Sequence, residues 1–159
     1  MATPKRASLK LTAEPDIVMW PETHYVFVEK IGPFQETAPQ AWQDLHPVVA
    51  QILEHNKITG YMSLYKVEPK IYRAGVSLAA EPKNLPQNLK YEKFKGGKYS
   101  RFALTGSYAN LPEASGRVFE IVTEKKIQMR DDYCIEHYTN DPRTTPEDEL
   151  VTEILIPTV

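Results

Sequence analysis

The chain has one cysteine in 159 residues, so no disulfide can form within it and its stability must come from packing. That usage suits a reducing compartment, and a cytoplasmic protein is expected. Long apolar runs are also missing. No stretch approaches the roughly 20 apolar residues of a membrane span, and the N-terminal "MATPKRASLK" is basic but lacks the apolar run of a signal peptide. Neither charge sign dominates: 19 Lys and Arg against 21 Asp and Glu leave −2, which argues against a concentrated basic surface for nucleic acid. His24, His46, His55 and His137 are scattered without metal-ligand spacing. Gly96-Gly97 precedes an expected strand, not a helix, so a phosphate cradle is not expected. Neither a cofactor nor a metal is therefore expected.

What is present reads as one globular domain, with 42% hydrophobic and 25% charged residues. Residues 1–12 are expected to be a flexible arm, and 13–159 the domain. Within it the chain repeats itself. "HYVFVEKIGPF" (24–34) and "KYSRFALTGSY" (98–108) each give a strand, a glycine turn and an aromatic two residues on. "TAPQ" (37–40) and "NLPE" (110–113) each offer an N-cap residue, a first-turn proline and Gln or Glu three after the cap. Helical apolar spacing follows: Ala41, Trp42, Leu45, Val49, Ile52 and Leu53 in one copy, Ala114, Val118, Phe119 and Val122 in the other. Pro47 should divide the first helix. Two strands close each copy, "YMSLYKVEP" matching "CIEHYTNDP" and "IYRAGVSL" matching "LVTEILIP", with Tyr65 over Tyr138. The expected fold is α+β: duplicated β-α-β-β units of about 13–78 and 88–159 under pseudo-twofold symmetry, with one antiparallel sheet and two helices.

Alternation along each strand sorts the side chains into two sets. Val26, Val28, Phe102, Leu104, Met62, Leu64 and Ile135 are apolar and suited to packing under the helices. Tyr25, Phe27, Tyr99, Arg101, Tyr61, Ser63, Tyr65, Cys134, Glu136 and Tyr138 are aromatic and polar together, the composition of a ligand pocket. A partly exposed sheet with cross-strand tyrosine pairs would look similar. Glu136 has three readings: a solvated strand residue, half of an ion pair with Arg101 or a lysine, or the polar anchor of a walled pocket. In the pocket, desolvation would raise its pKa and a cationic ligand would restore the charge. Trp20, ahead of the first strand, could reach the rim of such a pocket. Cys134 reads as a small core residue.

Three stretches together resemble the GyrI-like small-molecule-binding family, the AraC-type effector-binding domain. They are "YVFVEKIGPF" with its helix, "GGKYSRFALTGSY" with "NLPEASGRVFEIV", and the ending "IEHYTNDPRTTPEDELVTEILIP". The last is similar to the family's Glu-x-Tyr, Asp-Pro and terminal Thr-Glu-Ile-x-Ile-Pro. The resemblance implies a ligand cleft between the halves that binds hydrophobic, often cationic, small molecules, with the family's carboxylate at Glu136 and its tyrosine at Tyr138. Tyr65, Tyr25, Tyr99, Tyr61, Phe27 and Trp20 join the candidate site from alternation and position, not from the family motif. The second glycine turn, "TGSY", lacks the proline of "IGPF", and Glu29 and Ala103 stand where the family often has histidine.

The resemblance leaves three functions open. The first is binding of hydrophobic cationic aromatics for sensing or sequestration. The second is hydrolysis of cyclopropane-bearing alkylating compounds, with Glu136 as general base. The third is a protein-interaction role such as gyrase inhibition. No helix-turn-helix precedes the domain, so no direct DNA binding is expected, and a regulatory role would need a protein partner.

Overall fold

The computed structural model describes residues 9–159. Among these residues nine strands, β1 (Lys10–Leu11), β2 (Asp16–Trp20), β3 (Thr23–Ile31), β4 (Ile58–Lys66), β5 (Ile71–Leu78), β6 (Lys90–Phe94), β7 (Gly97–Thr105), β8 (Cys134–Tyr138) and β9 (Val151–Pro157), form one antiparallel sheet. The helices are α1 (Phe34–Leu45), the short α2 (Val49–Leu53) and α3 (Leu111–Glu124).

Read outward from the central pair β4–β8, the sheet runs β4-β5-β3-β6 on one side and β8-β9-β7-β2 on the other. The two orders are equivalent under the repeat, which is the pseudo-twofold relation expected from the sequence. The axis can be placed. Ser63 faces Glu136 across β4–β8, and these residues stand 73 positions apart, as do Tyr65 and Tyr138. Glu136 therefore lies on the axis, opposite its own counterpart. The strand before each repeat crosses to the other half, β2 pairing with β7 and β6 with β3, so the halves are interlocked.

Two expectations are corrected. The arm was expected to run through residue 12, but β1 pairs with Leu104–Thr105, and Thr12 exchanges hydrogen bonds with the Ala103 backbone. Residues 1–8 of that arm lie outside the described residues. Thr37 was expected to cap the first helix, yet α1 begins one turn earlier, at Phe34. Gly32 (φ +137°) and Pro33 turn the chain straight into the helix, and the Thr37 hydroxyl donates to the Pro33 carbonyl at 3.1 Å. Pro47 does divide the first helical region, which passes through a 3-10 turn at His46–Val48.

Cross-strand partners share a face, so the pairing registers sort the sheet. The face carrying α1 and α3 bears Val26, Val28, Tyr72, Ala74, Val76, Ser63, Tyr65, Cys134, Glu136, Tyr138, Ile154 and Phe102. Ala41, Leu45 and Ile52 from the first helical region and Ala114, Val118, Ile121 and Val122 from α3 close the core over it. The other face bears a second cluster, Tyr25, Phe27, Met62, Leu64, Phe94, Tyr99, Ile135 and Leu155. This redraws the expected sets. Met62, Leu64 and Ile135 lie away from the helices, while Ser63, Tyr65, Glu136 and Tyr138 lie beneath them.

Candidate binding site

α1 packs on the outer strands β3 and β5, and α3 packs on β7. The central strands β4 and β8 form the floor between them, and their helix-facing side chains pass from Tyr65 and Cys134, both buried, to the half-buried Glu136, Tyr138 and Tyr61.

Glu136 accepts a hydrogen bond from the Tyr138 hydroxyl at 2.8 Å, and no ion pair reaches it among the described residues. Burial pushes its pKa above the ordinary glutamate value, and the Tyr138 hydrogen bond only partly opposes this. A carboxylate partly withdrawn from water without a cation is costly when ionised. Behind Tyr138 runs a chain of polar groups. Ser63 Oγ lies 2.8 Å from the Tyr138 hydroxyl and 2.7 Å from that of Tyr72, which accepts from Trp42 Nε1 at 2.8 Å. The indole can only donate and the ionised carboxylate can only accept. With Tyr138 spending its one proton on Glu136, every donor must point the same way: Trp42 to Tyr72 to Ser63 to Tyr138 to Glu136. The chain stabilises the ionised carboxylate from beneath and ties it to α1. Burial, then the Glu136 charge, pushes Tyr72 up to about 12, so its hydroxyl stays protonated.

Aromatic rings gather around Tyr138, Tyr65 and Tyr72. Trp42 and Tyr108 each meet the Tyr138 ring edge-on, with centroids 5.5 Å away in both cases. Phe34 packs against Tyr65 at 5.7 Å and Tyr72 at 5.8 Å. Phe34 and Tyr108 are the aromatics two residues after the repeated glycines, and they contact repeat-equivalent tyrosines. That motif marked both residues in the sequence. Trp42 was read as packing and Tyr72 was not singled out, because their link to Glu136 runs through Ser63, a contact only strand pairing creates.

The structure brings together Glu136, Tyr138, Tyr65 and Tyr61 on this face and separates the other expected residues from them. Tyr25, Phe27 and Tyr99 are buried on the opposite face. There the Tyr25 ring covers Gly75, where a Cβ would come within 2.6 Å of it, and its hydroxyl donates to the Met62 carbonyl at 2.9 Å. Tyr99 donates to the Tyr133 carbonyl. Trp20 also lies on that side, edge-on to His137 at 5.2 Å. Arg101 pairs with Asp16 and Glu153, not with Glu136. Cys134 is buried, and burial followed by the Glu136 charge pushes its thiol up to about 12, which suits a core residue and not a nucleophile. Among the described residues no cluster of three or more His, Cys, Asp or Glu could hold a metal ion, and no helix is long and apolar enough to cross a membrane.

The site is thus a carboxylate at the axis of a duplicated antiparallel sheet, beneath two helices. The chain belongs to the family described as the GyrI-like small molecule binding domain, whose pattern matches residues 13–159. Among solved structures it is similar in fold to the EcmrR C-terminal domain (TM-score 0.74, 16% identity, covering 96% of this chain and 98% of that one). It is also similar to SAV2435 bound to tetraphenylphosphonium (TM-score 0.69, 14% identity, 92% and 94% covered). A third is a hydrolase encoded by lin2189 from Listeria innocua (TM-score 0.62, 11% identity, 94% of each chain). Comparison with curated protein sequences gives no match.

Proposed function

We propose that the groove between α1 and α3 binds hydrophobic organic cations, for sensing or sequestration, with Glu136 as the counter-charge. One observation carries this reading: Glu136, half-buried, has a raised pKa and meets a tyrosine hydroxyl and, among the described residues, no cation. The rings of Tyr138, Trp42 and Tyr108 would add cation–π attraction of roughly 0.5–2 kcal/mol each once desolvated. The tetraphenylphosphonium bound by SAV2435, a protein of the same fold, is a ligand of this class. For sensing we propose a regulatory protein partner, and the single cysteine suits a cytoplasmic setting. Calorimetric titration with tetraphenylphosphonium and its neutral relative triphenylphosphine oxide is the test. Glu136→Gln keeps the shape and should weaken the cation by about 1–3 kcal/mol while leaving the neutral compound nearly unchanged. Equal losses for both ligands would make Glu136 a support of the groove and reject the counter-charge.

A second reading, hydrolysis of strained alkylating compounds, is favoured by the same raised pKa together with the Tyr138 donor, a base beside an acid. Turnover of such compounds that is abolished in Glu136→Gln would support it over simple binding.

A further inference from the structure

The duplicated fold contains an internal control for its own edges. β2 and β6 occupy equivalent places, each crossing to flank the other half, with Trp20 and Phe94 standing 74 positions apart, as do Tyr25 and Tyr99. An uncovered edge strand invites pairing with another chain and is ordinarily blunted by charge. β6, "KYEKF", is blunted in this way by Lys90, Glu92 and Lys93. β2, "DIVMW", is not. Its only charge is Asp16, already paired with Arg101 at 3.3 Å, and Ile17 and Met19 stand 59% and 73% exposed. Both lie opposite helix-face residues, Ser100 and Lys98, while Val18 and Trp20 pack toward the other cluster. At the position of Met19 the twin strand carries Lys93, so nothing in the fold itself requires an apolar side chain there. Among the described residues no strand pairs with the outer edge of β2.

We propose that this edge docks a second copy of the chain through antiparallel β2–β2 pairing centred on Val18. The segment is self-complementary about that residue. Pro15 and Pro21 stand equally far on either side, so both ends of the pairing stop together, because proline cannot donate to a ladder. The register sets Ile17 opposite Met19 of the other copy, and Met19 opposite its Ile17, on one face. The two Asp16 carboxylates fall at opposite ends of the seam, so like charges do not meet. The two sheets would then run on as one. A seam of five residues buries much less than the ~800 Å² per partner of a stable complex, so the dimer is a weak one, with Kd on the order of 100 µM.

Sedimentation velocity between about 10 µM and 1 mM would read this association at the concentrations it requires. The wild type should shift from monomer towards dimer, with more than half dimeric at the top of the range. Met19→Lys, which installs the residue type of the twin strand, should remain monomeric throughout. Circular dichroism and thermal unfolding of the variant should match the wild type, showing that only the edge has changed. A wild type that stays monomeric at 1 mM, or an association that Met19→Lys leaves intact, would overturn the proposal.

Discussion

Glu136 is held by two opposing influences, burial that disfavours its charge and a donor chain that supports it, and burial is the larger. The consequence for stability has a definite sign. A carboxyl whose folded pKa lies above its unfolded value contributes stability that is fully present below the unfolded pKa and lost as pH rises through the folded one. Other carboxylates behave oppositely: Glu29 is held low by Arg73 against burial and Glu153 by His137, so their contributions fade on acidification. The comparison must therefore be made against Glu136→Gln, which cancels those background terms. The difference in Tm, wild type minus variant, should grow more positive as pH falls from 7 through the region just above the ordinary value of 4.5. A flat difference, or one of opposite sign, would mean that Glu136 is solvated like any surface glutamate.

Among the elements, the strands are where the sequence was most readable. The repeat put one strand at 71–78 and its counterpart at 150–157, observed as β5 Ile71–Leu78 and β9 Val151–Pro157. The grouping of faces was less readable. Alternation divides each strand into two sides but does not say which side of one strand adjoins which side of the next. Polarity could not settle it either, because both faces of the inner sheet are buried. Tyr25 and Tyr99 have no measurable exposure on the face without helices, so a tyrosine-rich side did not identify the groove. The registers Ser63–Glu136 and Tyr65–Tyr72 settle it, and they depend on pairing across distant segments. The division between faces predicts a contrast. Tyr25→Phe removes a buried donor to the Met62 carbonyl and should cost about 1 kcal/mol of stability, without changing the affinity for tetraphenylphosphonium. An affinity loss as large as that of Glu136→Gln would place Tyr25 in the site and contradict the register.

For the whole molecule, the exchanged strands matter most. Because β2 completes the second half and β6 the first, neither repeat can retain its sheet once the other opens. Unfolding in urea should therefore be a single transition, with far-UV circular dichroism and the emission of Trp20 on β2 and Trp42 on α1 changing together. Separate midpoints would mean that the halves are independent. The same interlock fixes β4 against β8 and so holds Glu136 on the axis, where a bound cation would lie between the two halves. The counter-charge is tested most directly by the pH dependence of tetraphenylphosphonium affinity. A cation that needs the ionised carboxylate must expel one proton to bind below the raised pKa of Glu136. Affinity should then fall by up to about tenfold per pH unit in that range, while Glu136→Gln binds weakly and without this dependence. A wild-type affinity flat across the acidic range, or a variant with the same slope, would contradict the assignment of Glu136 as the charge that holds the ligand.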